Sequence, residues 1–246
     1  MSVTIRQAQR IRGGVLIQGS TDSVTAGLVQ KLDARDYSGS GTTWTASVGN
    51  SVTLYNSPAW HSTGPGYFSF VPASRQYAEG TNQGDLGAWT LECWFKTTAT
   101  LVGTNYPALV TTVYNNNAGT QYGQINYVLS TFPDGHSITG GYFNGNWHTA
   151  NSGQDVTVGT WYQMAATFDG TTVKTYVNGV ELNSITGSGT SQANGGPLRI
   201  ARRWDGDTST QYFMPVDISL IRLYNRALAG ADVSLNYNVE KGRFGL

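Results

Sequence analysis

The residues with most chemical reach in this chain of 246 lie in one short run, Tyr142-Phe143-Asn144-Gly145-Asn146-Trp147-His148. Aromatic rings offer flat apolar faces, and the amides of Asn144 and Asn146 place hydrogen-bond donors and acceptors beside them. That combination suits a sugar, which presents an apolar ring face and directional hydroxyls. Tyr142, Asn144, Asn146, Trp147 and His148 are therefore the candidate ligand contacts, with Trp204 and Asp205 of a second loop completing a cleft. The competing reading is that the rings fill a core, as Trp94 and Trp161 are expected to do inside their strand patterns.

Catalysis on a glycosidic bond would need two carboxylates flanking it at close range. The chain has four glutamates, Glu79, Glu92, Glu181 and Glu240, and none has another acid within four residues. No catalytic residue is assigned, and the chain is expected not to be an enzyme; a glycoside hydrolase ranks third among the readings. His61, His136 and His148 are far apart, with no i, i+4 or His-x-His spacing for zinc. Cys93 is the only cysteine, so neither an intrachain disulfide nor a thiolate zinc site can form. Hard oxygens in Asp205-Gly206-Asp207-Thr208-Ser209 suit Ca2+, but the distal bidentate glutamate of a calcium loop is missing. An acidic hairpin loop is favoured there, and neither a metal nor a cofactor is expected. No glycine-rich run matches a nucleotide-binding pattern.

The elements that must position these residues read as β structure. The 31 glycines and 14 tyrosines are the mixture of short strands and tight turns. The clearest passage is 161–182. There Tyr162, Met164, Ala166 and Phe168 alternate up to Asp169-Gly170, and Val173, Thr175 and Val177 alternate up to Asn178-Gly179. Two turn signals between three alternating runs specify an antiparallel meander. Further strands are expected at 28–34, 67–70, 90–96, 108–113, 125–130, 137–143, 198–202 and 218–224, enough for two packed sheets. Leu228, Ala231 and Leu235, supported by Val233 and Tyr237, make one short helical stripe, expected to cap a sheet edge.

Residues 1–26 differ from the rest and read as an N-terminal arm, with 27–246 as a single domain. Arg6, Arg10 and Arg12 precede the first acid, Asp22, so the arm is suited to an acidic groove on a partner. With 15 basic and 15 acidic residues, no global field draws the chain to nucleic acid or to an anionic membrane. The N-terminus lacks the apolar core of a signal peptide, and no stretch approaches membrane-spanning length.

Two runs resemble LamG-like domains of the concanavalin A-like lectin and glucanase superfamily. One holds Trp161, Ala165, Phe168, Asp169 and Gly170, continuing to Tyr176, Val177, Asn178 and Gly179; the other runs from Ile218 through Arg222, Leu223, Tyr224, Asn225 and Arg226 to Leu228. The resemblance implies an antiparallel jelly-roll β-sandwich with a short C-terminal helix. Upstream, Leu32-Asp33-Ala34, Gly39-Ser40-Gly41-Thr42-Thr43-Trp44 and Gly66-Tyr67-Phe68-Ser69-Phe70 are similar to the opening of LamG-like proteins in tailed-phage virions, as is the close at 236–246. That resemblance implies a non-enzymatic virion structural protein, a capsid decoration knob or tail component, made in a host cytoplasm and displayed on the virion surface. Its partners would be other virion proteins, in a homo-oligomeric assembly. The alternative is a tail or fibre adhesin that recognises a cell-surface glycan. Ala46, Val71, Pro72 and Arg75 stand where the phage-type pattern carries acids, so a cation site built from those loops is not expected here.

Overall fold

The structure, a computed structural model, describes residues 22–81, 84, 86–100, 107–113, 125–131, 138–144, 146–187, 196–203 and 212–246. Seventeen strands, numbered in chain order, form two antiparallel sheets among the described residues. The nine-stranded sheet runs in space through β15 (Val180–Thr186), β14 (Thr172–Val177), β13 (Trp161–Phe168), β8 (Trp89–Thr97), β17 (Val216–Tyr224), β1 (Leu28–Asp33) and β3 (Ala46–Val48). On β17 it also carries β6 (Tyr67–Phe70), which pairs with β5 (Ala59–His61). The eight-stranded sheet runs through β12 (Trp147–Asn151), β11 (Ile138–Phe143), β10 (Ile125–Thr131), β9 (Ala108–Val113), β16 (Leu198–Ile200), β7 (Tyr77–Gly80), β4 (Val52–Tyr55) and β2 (Thr43–Trp44).

Local chemistry sets the meander. Asp169 Oδ1 accepts from the backbone N–H groups of Thr171 and Thr172 at 2.8 and 2.7 Å, and Gly170 takes φ +98°. The backbone donor of Thr172, then that of Thr171, holds the Asp169 carboxyl below its ordinary pKa. At the next turn Asn178 and Gly179 have φ values of 50° and 80°, the pair of positive angles a two-residue hairpin needs. Gln163 clamps this turn, its backbone N–H donating to Asn178 Oδ1 and its Oε1 accepting from Gly179 N. A Cβ on Gly179 would also come within 3.0 Å of the Tyr237 Cβ, so glycine lets the C-terminal helix approach.

Because side chains alternate across a strand, each sheet turns one set inward. Met164, Ala166 and Phe168 of β13, Cys93 and Phe95 of β8, and Leu198 and Ile200 of β16 meet Trp44, Phe68 and Trp89 in one core between the sheets. The helix α1 (Gly230–Glu240) and the 3-10 turn Lys241–Phe244 follow β17. They lie over the outer face of the nine-stranded sheet, a different place from the sheet edge expected of the helix. Val233 joins Ala165, Tyr176 and Tyr224, while Phe244 and Tyr237 stack on Trp94 at 4.0 and 5.7 Å between ring centroids. The reason is that β8 and β17 are central strands buried on both faces, and the outward Trp94 and Leu220, with Ala165 of β13, need cover. No helix among the described residues is long and apolar enough to cross a membrane.

Candidate functional site

The run 142–148 is the hairpin between β11 and β12, in register Tyr142↔His148 and Phe143↔Trp147. The strands close on Gly141, where a Cβ would collide with the His148 backbone carbonyl. Alternation then separates the candidate residues. Tyr142 is fully buried, its ring 4.7 Å from His148 and 4.6 Å from Phe168, and belongs to the inter-sheet core. The core reading thus holds for Tyr142, which has no face to offer a ligand. His148 is buried beside it, with Nε2 3.0 Å from Asn144 Oδ1, so ring and amide orient each other. Asn146 is exposed and Trp147 is 39% exposed, with the Arg203 guanidinium 5.0 Å from its ring centroid. Of the proposed cluster, Asn146, Trp147 and the half-buried Asn144 reach the surface. Trp204 and Asp205, the oxygens of 205–209, and Arg6, Arg10 and Arg12 lie outside the described residues.

Sequence reasoning missed a second constellation, on the outer face of the nine-stranded sheet beneath α1. The Arg222 guanidinium bonds Glu92 through Nη1 at 2.8 Å and Glu240 through Nη2, and all three residues are buried. Asn236 Nδ2 donates to Glu92 Oε2 at 2.8 Å and to the Tyr224 hydroxyl at 2.9 Å. Its Oδ1 accepts from Val24 N at 2.8 Å, and the Tyr224 hydroxyl donates to Val24 O at 3.1 Å. Val24, counted with the arm in the sequence, is therefore tied to the sandwich. Burial opposes the Arg222 charge, but Glu92 and Glu240 more than offset this and raise its pKa. Burial, reinforced by Glu92, pushes the Tyr224 phenol well up. The available signal was the closing run itself, since an arginine amid Ile221 and Leu223 must find partners when the strand is buried on both faces.

Several other described carboxylates are also engaged. Asp33 is gripped by Arg35 and by both Nη atoms of Arg243. Burial pushes its pKa up, yet the Arg35 and Arg243 contacts prevail and lower it to about 2. Asp217 takes Lys96 at 3.0 Å and the Ser69 hydroxyl at 2.6 Å, and His61 Nε2 lies 3.1 Å from that hydroxyl. Glu181 pairs with Lys174 at 3.0 Å. Among the described residues no group of three His, Cys, Asp or Glu could hold a metal ion.

On the outer face of the eight-stranded sheet, β4 and β7 pair Thr53 with Glu79 and Tyr55 with Tyr77. The two tyrosine rings stack at 4.5 Å with 4° between planes, and Arg202 lies 4.6 Å from the Tyr77 centroid. Arg199 Nε donates to Glu79 Oε2 at 2.8 Å. An open cleft of about 410 Å³ lies beside Thr53, Tyr55 and Glu79.

Two antiparallel sheets over a shared core, with a helix on one outer face, define the lectin-like class of jelly-roll sandwiches. The chain belongs to the concanavalin A-like lectin/glucanases superfamily: its laminin G-type family model matches residues 73–234. No curated protein matches the chain by sequence. Among solved structures, the binding domain of Paraclostridial Mosquitocidal Protein 1 superposes with a TM-score of 0.66 at 13% identity, over 86% of this chain and 52% of that one. The Botulinum neurotoxin type G receptor binding domain gives 0.64 at 13% identity, over 87% and 52%. A Trypanosoma rangeli sialidase in complex with 2,3-difluorosialic acid gives 0.64 at 15% identity, over 89% of this chain and 33% of the sialidase. The chain thus spans about a third of the sialidase and about half of each toxin chain, and at these identities the likeness is one of fold.

Proposed function

We propose that the chain is a non-enzymatic structural protein of a tailed-phage virion, a capsid decoration or tail component whose sandwich is a surface module. The observation that carries the non-enzymatic half is the fate of the glutamates. Glu79, Glu92, Glu181 and Glu240 are each ion-paired, and Glu92 and Glu240 share one guanidinium beneath a helix, where no substrate reaches. A retaining or inverting pair needs carboxyls open to a glycosidic oxygen and to water. The virion half rests on the opening and closing runs that resemble LamG-like proteins of phage particles. In this reading the basic arm of Arg6, Arg10 and Arg12 meets an acidic surface of a neighbouring virion protein, and copies assemble together. Gold-labelled antibody against the chain, applied to intact purified particles, tests it. Label on capsid or tail surface is expected; particles that lack the chain by mass spectrometry overturn the reading.

Recognition of a cell-surface glycan is the second reading, favoured by two exposed aromatic groups, Trp147 on the β11–β12 hairpin and Tyr55 on β4. Two similar structures are a toxin binding domain and a neurotoxin receptor binding domain, a use of this fold in the same direction.

A further inference from the structure

We propose that Asn178 is a latent modification site, an asparagine primed for deamidation that Gln163 guards, so that it converts to aspartate or isoaspartate only when the β14–β15 hairpin opens. The inference goes beyond the virion reading and does not rest on it. Asn178 precedes Gly179, which has no side chain to hinder attack by its own backbone nitrogen. In the reaction Gly179 N loses its proton to hydroxide and bonds to Asn178 Cγ; the Cγ–Nδ2 bond breaks, and Nδ2 takes a proton from water and leaves as ammonia. Water then opens the cyclic imide at either carbonyl. One opening leaves a normal backbone with an aspartate, and the other carries the chain through the side-chain carbon as isoaspartate. Water is the only reactant from outside the turn.

One residue holds the pair unreactive. Gln163, fully buried on β13, donates its backbone N–H to Asn178 Oδ1 at 2.9 Å and accepts from Asn178 N at 2.8 Å. Its side-chain Oε1 accepts from Gly179 N at 2.8 Å. Ring closure requires the Asn178 side chain to swing onto Gly179 N and the peptide between them to turn, so the bonds to Oδ1 and from Gly179 N must break first. Gln163 Nε2 is buried with no hydrogen-bond partner among the described residues, and leaving such a group unpaired costs stability. A leucine would fill the same space without that cost; what the glutamine adds is the acceptor for Gly179. The helix α1 closes over the turn, where a Cβ on Gly179 would come within 3.2 Å of Ser234 Cα. The guard acts at a sheet edge: among the described residues β15 pairs with β14 alone and is exposed over much of its length, the kind of element that opens locally before the core does.

Peptide mapping by mass spectrometry, on the full chain aged at mildly alkaline pH in buffer and in unfolding urea, tests the site. In the folded chain Asn178 is expected to deamidate at least about tenfold more slowly than in urea, which corresponds to about 1.4 kcal/mol for opening the turn. Gln163→Leu removes the side-chain acceptor and is expected to raise the folded rate about fivefold, the worth of one hydrogen bond. Hydrogen exchange at Gly179 N–H should quicken in that variant while the amides of β13 keep their protection. Thermal unfolding checks the fold, and Gln163→Met, which also lacks the acceptor, serves if the leucine variant unfolds. Equal rates at Asn178 in buffer and in urea, or no acceleration in either variant once the Gly179 amide exchanges freely, overturns the proposal. Acceleration accompanied by an equal loss of protection along β13 overturns it too, because the whole domain and not the turn would then be opening. None of these results bears on where the chain sits in a particle.

Discussion

Replacing Arg222 with methionine is the sharpest test of how the C-terminal helix is held. Its guanidinium is the shared partner of Glu92 and Glu240, and the side chains of Arg222 and Glu92 are each only 1% exposed. Methionine matches the aliphatic length but leaves Glu92 without a counter-charge under α1, and Glu240 with only Arg243, 3.6 Å away. Breaking a buried pair from one side costs about 3–5 kcal/mol, because the orphaned charge stays desolvated. For a chain of this size that corresponds to a melting temperature lower by roughly 6–20 °C. The companion variant, Arg222→Met with Glu92→Gln and Glu240→Gln, removes all three charges yet leaves an amide oxygen for Asn236 to donate to. It should recover most of the loss, since well-packed neutral groups commonly replace buried ion clusters at little cost. Urea unfolding followed by tryptophan fluorescence measures both. A single-variant loss under about 1 kcal/mol, or a triple variant no more stable than Arg222→Met, would refute the reasoning.

Asp33 predicts a pH dependence. Its folded pKa, about 2 against an ordinary 3.8, is depressed, so its contribution is present above the ordinary value and is lost as the pH falls toward 2. The shift corresponds to about 2 kcal/mol, and urea midpoints between pH 2 and 5 should show this part of the slope vanish in Asp33→Asn. Hydrolysis offers a second check: β-glucans should release no reducing ends above an inactivated control, and release abolished by Glu92→Gln or Glu181→Gln would sink the non-enzymatic reading. Truncation supplies a third. Removing residues 1–21 should leave melting unchanged but weaken incorporation into particles, less so at high salt, where the arginines of the intact arm are already screened. Removing 1–24 should lower stability by a further roughly 1–3 kcal/mol, because Asn236 Oδ1 loses its Val24 donor in a buried setting. Equal melting temperatures for the two truncations would show that the Val24 contacts contribute nothing.

The sandwich was legible because its strongest signals are local. Alternation in 161–168 and 172–177, punctuated by Asp169-Gly170 and Asn178-Gly179, gives strand, turn and register with little help from the rest of the chain. The strands expected at 67–70 and 108–113 coincide with β6 and β9 for the same reason. The helix was legible as an element, but its resting place was not, because the outward apolar set of β8 and β17 emerges only when both strands are central in one sheet. The candidate site was legible in part. Tyr142 and Trp147 look alike in a one-dimensional run, and only the pairing of β11 with β12 sends one to the core and the other to the surface. The Tyr55–Tyr77 stack left no trace in sequence, since its rings come from strands 22 positions apart that are joined by register alone.

The two outer faces of the sandwich are not equivalent, and the difference sets what docking on each would cost. On the nine-stranded sheet the polar groups Glu92, Arg222, Asn236 and Gln163 bond to one another, to the helix or to the adjacent turn, and Trp94 and Leu220 lie under Phe244. A ligand could reach this face only by lifting α1, which would part Glu240 from Arg222 and wet the aromatic stack. That penalty combines a broken buried ion pair with exposed aromatic surface, several kcal/mol in all, before any new contact forms. On the eight-stranded sheet no described element covers the β4–β7 end, and Tyr77 and Glu79 there are already held by Arg202 and Arg199. Prior fixing of this kind leaves little side-chain entropy to lose on binding, at roughly 0.5–1.5 kcal/mol for each side chain that need not be immobilised. A ligand docking on a sheet face would therefore meet the larger penalty on the nine-stranded sheet, whose helix-covered face serves to hold the domain together.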